Sequence, residues 1–165
     1  MNESEALAAA ELLKKLEPGY LPRPIFEQVT RLATMSIIEI VPLRAHNGKI
    51  EVLLQKRPDD DPVWPGQLHT AGTVIRATDL TYEDAIKRVL TSELALQAGT
   101  PTFVTHILHH SGRGRENAMV YWLEITDVAG GGTFYNADEL PQNFVQSQLD
   151  FLPTVIAHFK QSKQL

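Results

Sequence analysis

The chain has 165 residues, 43% of them hydrophobic, with no cysteine and a formal net charge of −5. That length can bury a self-sufficient core and reads as one domain with an appendage, no apolar run approaches the roughly 18 residues of a membrane span, and the acidic N-terminus lacks a signal-peptide pattern. The missing cysteines exclude disulfide and thiolate chemistry and fit a cytoplasmic setting, while the negative balance disfavours a nucleic-acid surface, so an anionic ligand has to be met by local cations.

Residues 3–16 place Leu7, Leu12, Leu13 and Leu16 at helical spacing before Pro18-Gly19 breaks the pattern. A second helix is expected over 24–33, with Pro24 in its first turn and Ile25, Phe26, Val29 and Leu32 facing inward. Residues 1–34 thus form a helical arm that either packs on its own domain or builds a homodimer. Residues 35–44 are rich in β-branched side chains and read as a strand, where Pro42 implies an edge position or a bulge. Asn47-Gly48 is a strong hairpin signal, with 49–57 as the returning strand. Asp59-Asp60-Asp61-Pro62 reads as a solvated turn rather than a metal cluster. The segment 63–72, VWPGQLHTAG, has the marks of an ordered loop, and a short strand over 73–76 leads to the next helix.

That helix is expected over 81–99. Thr81 is its N-cap, Asp84 the capping-box partner three residues on, and Gly99 followed by Pro101 its stop. At about 100° per residue, Tyr82, Ile86, Val89, Leu90 and Leu96 share one stripe, with Lys87, Arg88 and Thr91 opposite. Glu93 falls in the middle of the apolar stripe. A buried carboxylate there requires a lysine or arginine, or a bound metal; the alternative places the stripe at the rim of the core, with Glu93 reaching water or an arginine.

Beyond Gly99, residues 102–110 and 118–126 read as paired strands, joined by a loop in which Arg113 and Arg115 stand beside Gly112 and Gly114. Such a loop either gathers backbone N–H groups and guanidinium forks around a phosphate or carboxylate, or is an ordinary hairpin connection with solvent-facing arginines. Strand alternation separates His106 and His110 from His109, so the three cannot aim at one ion. Gly130-Gly131-Gly132 reads as a short flexible joint, and the last third holds one or two helices, with Val155, Ile156 and Phe159 facing inward after Pro153.

From about residue 35 to residue 160 this order of elements resembles the Nudix hydrolase superfamily. Leu53-Leu54-Gln55-Lys56-Arg57 is similar to that family's L-L-x-x-R strand element. Trp64-Pro65-Gly66-Gln67-Leu68-His69-Thr70-Ala71-Gly72 is similar to its W-x-G loop, with Thr70 and Ala71 in place of the usual Pro and first Gly, and the segment from Phe134-Tyr135 to Glu139-Leu140-Pro141 matches its F-Y-x-x-x-E-L-P pattern. Against the signature G-x5-E-x7-R-E-U-x-E-E-x-G-U, where U is bulky and aliphatic, alignment on Arg88 keeps the arginine, Leu90, Glu93 and Leu96. Val89 and Ser92 stand where glutamates are usual. The interval from Gly72 to Arg88 is two residues longer than the pattern, and Asp79 is the nearest upstream acid.

The resemblance implies an α/β (α+β) domain of Nudix type over 35–165, a mixed β-sheet sandwiched between helices, preceded by the arm at 1–34. It implies action on a nucleoside diphosphate linked to another moiety. Glu93 would be metal ligand or base, Arg88 would orient it, Asp79 would assist, and Arg57, His69, Gly72, Arg76, Arg113 and Arg115 would face the substrate. In that family the helix glutamates gather Mg²⁺ or Mn²⁺; one glutamate in place of three implies weak metal binding. The rival reading is a non-catalytic binding or regulatory module for a nucleotide or related anion that keeps the pocket and has lost the metal.

Overall fold

The computed structural model describes residues 1–164. Its axis is β1 (Met35–His46), whose β-branched run is buried on both faces as the central strand of a mixed sheet should be. Along one edge β1 pairs in parallel with β6 (Gly114–Glu124), from Met35 against Glu116 to Leu43 against Glu124. The other edge is divided between two partners. β4 (Ala71–Val74) lies antiparallel to Ile37–Ile40, and β2 (Lys49–Lys56) lies antiparallel to Leu43–His46. Asn47 and Gly48 both have positive φ, 50° and 73°, as a two-residue hairpin turn with the twist of its strands requires.

Pro42 sits at the point where the partner changes. The Leu43 carbonyl accepts from the Ile125 amide on the β6 side, so alternation turns the Pro42 nitrogen to the other edge, into the gap between the β4 and β2 segments. A missing donor costs least there. The expected edge strand or bulge is therefore replaced by a central strand whose ladder is already interrupted at the proline. The far end of β2 leaves β1 and pairs with β3 (Leu68–His69) through Gln55 and Lys56. The sheet is forked at this place, and the fork is where the cavity opens.

β5 (Thr102–Ser111) forms a hairpin with β6, and β7 (Thr133–Asn136), a strand the sequence reading leaves out, pairs with Glu51–Leu54 of β2. The loop expected over 111–117 shrinks to a tight turn at Gly112 and Arg113, because β6 already begins at Gly114. On one face of the sheet Ile37, Val41, Val52 and Val120 pack on Phe151, Val155 and Phe159, where α4 (Leu152–Lys163) follows a 3-10 turn (Gln146–Asp150). On the other face Ile38, Ile40, Leu53 and Leu123 pack on Ala85, Val89, Leu90 and Leu94.

α3 (Tyr82–Arg88) has the expected capping box, with Thr81 Oγ1 accepting the Asp84 amide and the Asp84 carboxylate accepting the Thr81 amide. It does not run to Gly99. After Arg88 the chain widens into a π-helical turn (Val89–Glu93), in which the Leu94 amide donates to the Val89 carbonyl five residues back, and Ala95, at φ 53°, ends the helix. The widened turn rotates every later side chain. Leu94 takes the buried position that ideal helical spacing gives to Glu93, and Glu93 moves to the half-buried edge. Tyr82, expected in the apolar stripe, is exposed, whereas Arg88, expected on the far side, is half-buried.

Ahead of the sheet, α1 (Glu3–Leu13) has no buried residue and leaves Leu7, Leu12 and Leu13 exposed. α2 (Arg23–Leu32) packs by Thr30 near the start of β6, and Leu32, expected inside, is 72% exposed. Among the described residues no helix is long and apolar enough to cross a membrane.

Candidate functional site

The fork between β1 and β2 opens into a cavity of about 830 Å³, closed on one side by the chain from Pro18 to Phe26. Six of the residues singled out in the sequence meet there: Arg57, His69, Gly72, Arg76, Glu93 and Arg113. Three do not. Arg88 is turned away to bond Asp79 and the Thr73 hydroxyl (2.5 Å), and neither Arg88 nor Asp79 lines the cavity. Arg115 is exposed on β6 opposite His110.

Glu93 stands on the cavity wall with no side-chain ion pair among the described residues. Of the three arginines to be matched with it, Arg88 pairs with Asp79 and Arg57 with Asp61 (2.8 Å), while Arg76 lines the same cavity without an ion pair to Glu93. Its position is fixed through its backbone, because Gln55 Nε2 donates both to the Glu93 carbonyl (2.5 Å) and to the Gly130 carbonyl (2.8 Å). The glycine run read as a flexible joint is thus an ordered turn pinned beside the site. The acidic turn is only partly solvated. Asp59 and Asp60 are exposed, but Asp61 accepts the amides of Val63 and Trp64 as well as Arg57. Burial works to raise the Asp61 carboxyl, and those two amides and the guanidinium outweigh it and hold it below the usual range.

Deeper in, the sequence reading misses an entire polar cluster. Glu39 lies in the run Ile37-Ile38-Glu39-Ile40-Val41, on the same strand face as Ile37 and Val41. A carboxylate in an otherwise apolar β-branched strand was the signal that could have found it. Its Oε2 accepts from Gln148 Nε2 (3.2 Å) and the Thr70 hydroxyl (3.4 Å), and Gln148 Oε1 in turn accepts the Thr70 amide. Burial, and next the neighbouring Glu116, push the Glu39 carboxyl up to about 8; Arg113, Thr70 and Arg57 offset part of this. Gly72 is required here by close approach, since a Cβ on it would lie 2.7 Å from the Glu39 carboxyl carbon. Glu116 accepts from Arg113 through Nε (3.2 Å) and Nη2 (2.8 Å). The Arg113 guanidinium lies 5.0 Å from the Trp64 ring centre and 5.9 Å from that of Phe26. His69 is neutral at pH 7, its imidazole brought down to about 4 by burial and then by Arg57.

Arg76 lies 5.6 Å from the Tyr20 ring centre and, among the described residues, is in no ion pair. It is the free guanidinium of the cavity. A hard divalent ion finds no matching donor set among the described residues. No three His, Cys, Asp or Glu side chains converge as ligands among the described residues. Glu93 is alone on its wall, Glu116 is occupied by Arg113, and Glu39 is bonded to Thr70 and Gln148. Hard cations want ionised oxygens, several at once.

No protein-family model and no curated protein matches the sequence. Solved structures do match. A mutT/nudix family protein from Listeria innocua superposes with a TM-score of 0.63 at 14% identity, over 79% of this chain and 96% of that one. The NUDIX domain of Shewanella oneidensis NrtR, in a cocrystal structure with ADP ribose, gives 0.62 at 17% identity, over 96% of this chain and 99% of its own. An Ap4A hydrolase from C. elegans gives 0.57 at 12% identity, over 77% and 98%. At such identities the likeness is one of architecture, and on that point these structures agree with the forked sheet and its two helical layers: the chain has the Nudix fold.

Proposed function

We propose that this chain is a Nudix-fold binding protein that takes a phosphate-bearing, nucleotide-like small molecule in the cavity without a resident divalent ion. The observation that carries the reading is Arg76, a half-buried guanidinium on the cavity wall that is in no ion-pair contact among the described residues. A guanidinium fork is a ready receptor for phosphate oxygens, and Tyr20 beside it offers a ring face. The volume suits a ligand of nucleotide size, and the NrtR NUDIX domain of the same fold was crystallised with ADP ribose.

Glu93 favours a second reading, hydrolysis of a nucleoside diphosphate linked to another moiety. In that case the side chain on the cavity wall would hold Mg²⁺ or Mn²⁺ together with the substrate's phosphates. Thermal denaturation and calorimetry with ADP-ribose, each with Mg²⁺, with Mn²⁺ and with a chelator, separate the two. The binding reading expects stabilisation that survives the chelator and no product. Turnover that requires metal and disappears in Glu93→Gln would replace it with the hydrolytic one.

The arm at 1–34 supplies a further contact. α1 exposes Leu7, Leu12 and Leu13 and buries nothing, and an 11-residue helix is marginal by itself in water. A homodimer that covers these leucines is the expected state, and sedimentation equilibrium of the chain and of a Leu7→Ser/Leu12→Ser variant tests it.

A further inference from the structure

One wall of the cavity is held far more lightly than the others. Pro18, Gly19, Tyr20 and Leu21 line the cavity opposite the strands of the fork, yet residues 17–21 make no hydrogen bond with any other described residue. Two side-chain contacts hold this strap. Gly19 rests on Thr78, where a Cβ would lie 3.2 Å from Thr78 Cγ2, and the Tyr20 ring centre lies 5.6 Å from the Arg76 guanidinium although Tyr20 is 75% exposed.

The two ends of the strap differ. On its C-terminal side α2 is seated firmly: Arg23 Nη2 donates to the Asp60 carbonyl (2.8 Å), and the Thr30 carbonyl approaches Gly114 so closely that a Cβ there has no room. On its N-terminal side α1 buries no residue within its own chain. An exposed segment without backbone hydrogen bonds and anchored at one end belongs to the part of a fold that opens while the core stays closed. Gly19, at φ 120°, and Pro22 supply the two points about which such a segment turns. Arg76 serves the strap and the cavity together. A ring engages the guanidinium as a cation, whereas a phosphate takes its N–H groups, so the two contacts are compatible.

We propose that residues 17–22 are a lid on the cavity, hinged at Pro22 and latched by Tyr20 on Arg76, which opens to admit the ligand and closes once a phosphate sits on Arg76. Ligand and latch then share one side chain, and a bound phosphate that holds Arg76 in place holds Tyr20 with it. A lid of this kind sets the rates of entry and release. Closure on the ligand rests on the anion-binding reading given above; the lid and its latch rest on the strap alone.

A reversible lock tests the lid. The chain has no cysteine of its own, and a Cβ at Gly19 would lie 3.9 Å from Thr78 Cβ, within the span of about 3.5–4.5 Å that a disulfide bridges. In Gly19→Cys/Thr78→Cys the reduced form carries the same backbone strain as the oxidised one and is its control. Stopped-flow binding of ADP-ribose, followed by tryptophan fluorescence, should be slowed about tenfold or more in both directions by oxidation and recover on reduction. Tyr20→Ala, which leaves the backbone unaltered, should release ADP-ribose several-fold faster than the parent. Equal rates in the oxidised and reduced forms, with release unchanged in Tyr20→Ala, overturn the lid. A second readout needs no ligand. Chymotrypsin should cut the parent after Tyr20 faster than at any bond within 23–164, and Arg76→Ala, which lacks the latch, should be cut there several-fold faster still. Cleavage after Tyr20 no faster than within the sheet, or no faster in Arg76→Ala than in the parent, overturns the lid as well. If ADP-ribose binds neither the parent nor the reduced form while the cleavage pattern is as expected, the lid stands and the anion reading falls.

Discussion

Arg88 and Asp79 form an ion pair beside the cavity, not in it: the guanidinium bonds the Asp79 carboxylate, the Thr73 hydroxyl and the Val74 carbonyl (3.1 Å). The pair ties the loop before α3 to the helix end and to β4. Burial alone would raise the Asp79 carboxyl, yet the Arg76 amide and Arg88 hold it below the usual range. Asp79→Asn should cost about 2–3 kcal/mol in denaturant unfolding, as loss of a charged hydrogen bond in a poorly exposed pair does, and should leave ADP-ribose affinity within about twofold of the parent. A much larger loss of affinity than of stability would place the pair in the site.

Gly72 and Glu39 constrain each other. A methyl group at 72 meets the carboxyl at 2.7–2.8 Å, so Gly72→Ala should destabilise the fold by about 1–3 kcal/mol through overpacking. Shortening the acid as well, in Gly72→Ala/Glu39→Ala, should recover part of that loss. A double-mutant cycle measures the coupling, and strict additivity would contradict the contact.

The buried titratable groups predict a pH profile. The folded carboxyl of Glu39 titrates near 8 against an ordinary 4.5, so its contribution is complete below about 4.5 and is lost as pH rises through about 8. His69 acts in the opposite sense. Its folded value near 4 against an ordinary 6.5 gives a contribution present above about 6.5 and lost as pH falls toward 4. The two slopes oppose each other between 4.5 and 6.5, and Glu39 alone acts from 6.5 to 8. Urea unfolding should show stability falling by about 2 kcal/mol across that upper window, and Glu39→Gln should flatten it. The same slope in both proteins would assign the effect elsewhere.

The π-helical turn reverses the costs that ideal helical spacing implies. Leu94→Ala should lose about 2–5 kcal/mol, since Leu94 is fully buried against the sheet. Glu93→Gln should change stability by less than about 0.5 kcal/mol, because the side chain holds no partner in the fold. Thermal denaturation of the two variants decides between a π turn and a continuous α-helix.

Arg76→Ala should weaken ADP-ribose binding by about tenfold or more and flatten its salt dependence, as removal of a charged phosphate contact does. Calorimetry at two ionic strengths reads both effects. Unchanged affinity would take Arg76 out of the site.

Read alone, the sequence determined the long strands β1, β2, β5 and β6, the Asn47-Gly48 hairpin and the Thr81 capping box, because each is written in local chemistry: β-branched runs, turn residues and side-chain caps; the Nudix architecture followed from the resemblance of its motifs, and the short strands β3 and β7 were missed. It also named six residues that meet in the cavity. What it did not decide is where the helix after Thr81 places its acid. One residue of extra winding after Arg88 exchanges Leu94 for Glu93, and that winding answers to packing against the sheet rather than to local propensity. The floor of the site was decided by tertiary structure as well. Glu39, Thr70, His109, Glu116 and Gln148 lie far apart along the chain, on β1, β5, β6, the link between β3 and β4, and the 3-10 turn. Only the fork of the sheet brings them to one place, and burial there, with Glu116 beside it, gives a glutamate in an apolar strand its unusual proton affinity.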